Sequence, residues 1–101
     1  MKEYTFGGYK IIAGCNAREN DRLVLTSDNS DMWFHVQDSP GRHVVVKTSG
    51  DVPDNVIRYA ASIASGGKKV WVSYTRILNV YKNRYSNHGE VEISDHETVM
   101  A

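Results

Sequence analysis

The sequence predicts an α+β domain: a mostly antiparallel sheet of about five strands, with two helices packed on one of its faces. Three observations predict it. Apolar and polar residues alternate with period two in several short runs bounded by turn residues, as at Met32–Val36 and residues 69–75. Two other stretches change to helical spacing, each entered through a residue suited to a helix start. Between two of the strands stands Pro40-Gly41, a pair that turns the chain sharply.

The elements follow in order. Tyr9–Ala13 ("YKIIA") is a β-prone run entered through Gly7-Gly8 and left at Gly14. Asn16 then suits a helix N-cap, and Glu19 sits three residues on, where its carboxylate can reach back to the cap amide. The helix expected there runs from Ala17 to about Thr26, with Leu23 inward. Met32–Val36 and residues 43–47 read as two strands. Ser39-Pro40-Gly41-Arg42 suits a type II turn, inside a wider loop that starts near Gln37 because type II turns fit tight hairpins poorly. Asp51 or Val52 precedes a second helix with Pro53 in its first turn. Val56, Ala60, Ile63 and Ala64 follow its inward face, and Gly66-Gly67 closes it. Residues 69–75 ("KVWVSYT") form a strand, and residues 90–94 form a half-buried edge strand with Val91 and Ile93 inward.

The totals bound the class. A chain of 101 residues reads as one domain, 1–101, with 41% hydrophobic and 24% charged residues, ordinary values for a folded soluble protein. No apolar run approaches the roughly 20 residues of a membrane span. "MKEYTFGGYK" lacks a signal-peptide core, and Cys15 is the only cysteine, so the expected location is the cytoplasm, without disulfide or cysteine-zinc site. The net charge is zero, yet residues 55–89 contain no Asp or Glu while holding Arg58, Lys68, Lys69, Arg76, Lys82 and Arg84. A local block of one sign can build a positive patch on a neutral protein.

Side chains alternate along strands, so "DMWFHVQDSPGRHVVV" can be sorted by face. With His35 opposite His43, Met32, Phe34, Val36, Val44 and Val46 share one side and make a core face. The other side carries Trp33, His35, His43, Val45 and Lys47, expected to be an outward aromatic, imidazole and cation surface. Such a surface can stack on unpaired bases and meet phosphates. Two imidazoles could instead bind a metal with Asp31 or Asp38, or one could act as a general base. A third reading is purely structural, with Trp33 beneath a helix and the histidines bonded internally.

These stretches together resemble the NFACT-R family, the RNA-binding domain at the far end of ribosome quality-control factors (NEMF, Caliban and fibronectin-binding-protein-A-like proteins). "GCNARENDRL", "DMWFH" and "PGRHVVV" carry the resemblance, with Pro53, Ala60-Ala61, "VWVSYT", Val80, Lys82, Gly89 and Val91 in the same order. Cys15 stands where the family is usually basic, and "YKNRYSNHG" replaces a proline-bearing basic run. The resemblance implies an RNA-binding domain; the expected departure is that it stands alone, so the elongation of stalled peptides by the multidomain factors does not carry over to it.

The resulting expectation is a non-catalytic nucleic-acid-binding module, with RNA (transfer or ribosomal) ahead of DNA, and the ribosome as a partner. No cofactor, metal or membrane is expected. Arg18, Arg42, Lys47, Lys68, Lys69, Arg76, Lys82 and Arg84 would contact phosphates, while Trp33, His35, His43 and Tyr74 would stack or read base edges. The alternatives are a small hydrolase or nuclease using His35 and His43 with Asp31, or a protein-interaction module pairing through the acidic strand at residues 90–93.

Overall fold

The computed structural model describes residues 1–83 and 85–101. The strands are β1 (Lys2–Phe6), β2 (Tyr9–Ala13), β3 (Met32–Val36), β4 (Val44–Val46), β5 (Trp71–Arg76), β6 (Val80–Tyr81), β7 (Glu92–Ile93) and β8 (Glu97–Met100). The helices are α1 (Ala17–Thr26) and α2 (Asp54–Ser65), and a short 3-10 turn at Ile77–Asn79 leads into β6. Six strands form one antiparallel sheet in the order β1-β2-β4-β3-β5-β8, while β6 and β7 pair separately. The architecture is α+β, as the sequence predicts.

The β1-β2 hairpin turns at Gly7-Gly8, whose φ values are 59° and 83°. A two-residue turn with both residues left-handed matches the twist of its strands. At α1, the Asn16 side chain accepts from the Glu19 N–H at 2.9 Å. The Glu19 carboxylate reaches back at 2.9 Å to the Cys15 N–H, one residue earlier than the cap amide expected. The Gly66 and Gly67 N–H groups donate to Ile63 and Ser62 at 3.2 and 3.1 Å and end α2.

Met32 pairs with Val46, Trp33 with Val45 and Phe34 with Val44, so the register is the one that sets His35 opposite His43. Ile11, Phe34, Val44, Val46 and Val72 are completely buried against Val56, Ala60, Ala61 and Ala64 of α2. Small residues on α2 let the helix approach the sheet closely. The opposite face has a second apolar cluster in which Leu23 and Val24 of α1 cover Trp33 and Val45, beside Ile77 and Val80.

The helices therefore lie on opposite faces, which corrects the single-faced arrangement expected. Trp33 and Val45 point away from the α2 core, and each would forgo roughly 1.5–3 kcal/mol if left in water. Three smaller corrections concern the loops and strands. Gly41 does not have positive φ, so the type II turn is absent; the left-handed residue is Asp38, at φ 56°. Gly41 is confined instead by space, since a Cβ there would meet Val36 Cγ2 at 3.0 Å. Pro53 caps α2 rather than entering it, and the acidic strand is only Glu92–Ile93, outside the main sheet.

Candidate nucleic-acid interface

Trp33, His35 and His43 form one ring cluster. The Trp33 indole N–H donates to Nδ1 of His43 at 3.2 Å. His35 stacks on Trp33 with centroids 5.9 Å apart and planes within 8°, and meets His43 edge-on at 5.0 Å. Asn20, inward on α1, fixes the loop below: its Oδ1 accepts the His43 backbone N–H at 3.1 Å, and its Nδ2 donates to Gly41 O at 3.4 Å. Gly14 makes room for Asn20, because a Cβ at Gly14 would lie 2.0 Å from that Oδ1.

Burial sets the protonation of this cluster. It pushes His43 down to about 4, and the neighbouring His35 adds to the push, against hydrogen bonding to the Gly89 backbone and the charge of Asp21. With Nδ1 accepting from Trp33, the neutral ring carries its proton on Nε2. Burial also lowers His35, opposed by hydrogen bonds to the Val36 and Gly41 backbone.

A second hub ties a distant segment to α1. Asp21 accepts from the Gly89 N–H at 2.7 Å, and pairs with Lys82 Nζ at 3.1 Å and His88 Nδ1 at 2.9 Å. Desolvation raises its carboxyl, but the bonds from His88, Gly89 and Lys82 outweigh that and leave it below the ordinary value. Lys82 and residues 88–89 are thereby drawn toward α1, and the Gly89 backbone bonds to the His43 ring.

Between these parts lies an open cleft of about 1040 Å³. All four histidines, His35, His43, His88 and His96, line it, as do Arg42 and the first residues of α1. Asp38 and Glu90 bring carboxylates to its wall. Among the described residues, no group of three or more His, Cys, Asp or Glu side chains is arranged to hold a metal ion.

The structure places the expected contact residues unevenly. Trp33 is 3% exposed and His43 1%, so the surface expected to face outward is largely interior, covered by α1 and the Gly89 segment; His35 is half-buried. Lys47 pairs with the buried Asp31, whose carboxylate also accepts from Thr48 N–H at 3.0 Å, so Asp31 is not joined to the imidazoles. Arg76 donates to Ser30 O at 2.7 Å and Gly50 O at 3.0 Å, clamping two loops. Lys82 is spent on Asp21 and on the Asn87 and Glu90 carbonyls. Tyr74 lies on the α2 face, stacked on Phe34 and bonded to Glu97 at 2.9 Å. Arg18, Arg42, Lys68 and Lys69 are exposed and have no ion-pair partner among the described residues. Arg84 lies outside the described residues.

Residues 2–95 match the family described as the NFACT protein RNA binding domain. The chain belongs to that family. It is 34% identical over 100 residues to the Rqc2 homolog RqcH of Bacillus subtilis, covering 92% of this chain and 17% of that protein. It is 33% identical over 98 residues to Protein JLP2 of Saccharomyces cerevisiae, covering 82% of this chain and 47% of that one. The solved structure of the C-terminal of the fibronectin/fibrinogen-binding protein from Streptococcus suis superposes with a TM-score of 0.86 at 28% identity, covering 93% of this chain and 41% of that one. The chain thus spans less than half the length of each of these relatives.

Within this NFACT RNA-binding domain, Asn20, Asp21 and His88 are structural organisers that were not among the expected contact residues. One signal was available: Asn20 and Asp21 share the inward side of α1 with Leu23 and Val24, where apolar residues would be expected. Trp71, 51% exposed on β5, was also passed over.

Proposed function

We propose that this chain is a non-catalytic RNA-binding module, and that transfer or ribosomal RNA is its ligand. The observation that carries the reading is the gathering of uncommitted cations at one end of the sheet. Arg42 lines the cleft, and Arg18 follows the Ala17 that lines its other wall. Gly41 comes within 3.9 Å of the Ala64 carbonyl for an added Cβ, which brings the Arg42 loop beside the end of α2; Lys68 and Lys69 follow directly after. Cations free of internal partners are those able to release counterions from a phosphate backbone. Membership in the RNA-binding family supports the same ligand.

The imidazoles support a structural part rather than a catalytic one. His43 Nδ1 already accepts from Trp33, and Asp31 is engaged with Lys47 and Thr48. The setting we infer is ribosome quality control in the cytoplasm, with the ribosome as partner; no helix among the described residues is long and apolar enough to cross a membrane.

The test is binding of labelled transfer RNA by fluorescence anisotropy across a salt series, with duplex DNA as competitor. Affinity should fall with salt, the log-log slope gaining about 0.7 per neutralised phosphate on single strands and about 0.9 on a duplex. Salt-independent affinity would remove the reading, and preferential displacement by DNA would transfer it to that polymer.

A further inference from the structure

Trp71 opens β5, and alternation sorts its neighbours. Val72 is sealed in the α2 core and Tyr74 packs against it, so Trp71, Ser73 and Thr75 share the opposite face. On that face α1 covers only the Trp33 end, and Trp33 lies opposite Thr75. Farther along, His35 lies opposite Ser73 and Ser73 opposite Thr98; the next pair outward is Trp71 with Met100. Trp71 is 51% exposed and Met100 42%. The indole therefore stands on bare sheet, one step beyond the His35–Ser73 row that lines the cleft.

Its backbone is held there, because the Gln37 N–H, from another cleft-lining residue, donates to Trp71 O at 3.0 Å. Lys68 and Lys69 precede it, both exposed and without an ion-pair partner among the described residues. A flat apolar ring beside uncommitted cations suits a ligand that offers flat π faces and negative charge on one chain. A buried peptide partner would leave the two lysines desolvated without a counter-charge, whereas a phosphate backbone supplies it.

We propose that Trp71 is a stacking platform for an unpaired base of the bound RNA, with Lys68 and Lys69 holding the adjacent phosphates. This rests on the RNA-binding reading above and adds a preference to it: single-stranded or looped RNA over a continuous duplex, whose bases have no free face to offer.

The experiment compares wild type, Trp71→Ala, Trp71→Phe and a Lys68→Ala/Lys69→Ala double variant on a short single-stranded oligoribonucleotide and on a blunt RNA duplex. Trp71→Ala should bind the single strand roughly 5-fold or more weakly, the equivalent of about 1 kcal/mol of stacking, with duplex binding and the salt slope unchanged. Trp71→Phe should retain most of the affinity, and the lysine double variant should lose affinity for both RNAs. Indole emission of the wild type should be quenched by the single strand, since Trp33 is buried, and Trp71→Phe should lose that quenching; this readout does not depend on the alanine variant folding. Undiminished single-strand binding by Trp71→Ala, equal losses on both RNAs, or absence of quenching would each overturn the platform while leaving RNA binding in place. A wild type that binds neither RNA would overturn both.

Discussion

Trp33 on β3 and His43, the residue just before β4, are joined ring to ring by the indole N–H donating to imidazole Nδ1 at 3.2 Å. The bond explains how an imidazole that is 1% exposed can sit inside a small domain. A neutral ring satisfies the tryptophan donor, and a protonated ring would have no lone pair left to accept with. Folding therefore selects the uncharged form.

Stability should consequently depend on pH in one direction. His43 holds its proton only near pH 4 when folded, against the ordinary 6.5, so the unfolded chain binds more protons between those values. The contribution is fully present above about pH 6.5 and is lost as pH falls toward 4, in total on the order of 3 kcal/mol. His35 is lowered too and acts in the same sense. Urea midpoints should fall between pH 7 and pH 5, and His43→Phe should flatten much of that slope. Midpoints that stay constant across this interval would contradict the buried neutral ring.

Asp21→Ala leaves the Gly89 N–H without its acceptor and Lys82 without its carboxylate partner, at a residue that is 8% exposed. An unsatisfied buried donor costs about 1–3 kcal/mol, and the lost ion pair adds to it. The expected loss is therefore at least about 2 kcal/mol by denaturant unfolding. Amide exchange should accelerate first in residues 85–90, since Asp21 is what ties that segment to α1. Unchanged exchange there would show that the segment is held by something else.

Gly14→Ala places a methyl 2.0 Å from Asn20 Oδ1, which must then abandon the His43 N–H. Overpacking and the lost hydrogen bond together should cost about 2–4 kcal/mol. Gly50→Ala is the matched control, having nothing within 4 Å of the added Cβ. Equal unfolding midpoints for the two variants would rule out the steric argument.

What was legible in the sequence was local. Asn16 and Glu19 declared the start of α1, Gly66-Gly67 the end of α2, and alternation from Met32 and Val44 the register of β3 with β4. The β1-β2 hairpin was legible too, since Gly-Gly between "KEYTF" and "YKIIA" is a two-residue turn signal, although only the second strand was expected. Pro40-Gly41 misled because composition cannot distinguish a glycine needed for φ from one needed for space, and here Val36 decides. The candidate site was mostly illegible for a related reason. Whether Trp33, His43, Lys82 or Arg76 faces water depends on partners far along the chain: α1, the Gly89 segment, Asp21, Ser30 and Gly50. Charge in a sequence marks a lysine; only the fold shows whether its charge is already spent.

That distinction yields a prediction about two classes of cation. Arg42, Lys68 and Lys69 have no internal ion pair among the described residues, so replacing each with Ala should leave stability within about 0.5 kcal/mol. Each should nonetheless weaken RNA binding and remove about 0.7 from the log-log salt slope on a single-stranded ligand. Lys82→Ala should do the reverse, because its side chain is 17% exposed and its ammonium satisfies Asp21 and two carbonyls. It should lower the unfolding midpoint while leaving the salt slope of the remaining folded protein intact. Paired measurements of unfolding and of salt-dependent anisotropy separate the classes. A slope change for Lys82→Ala at full stability, or none for Lys68→Ala and Lys69→Ala together, would reverse the assignment of which cations meet phosphate.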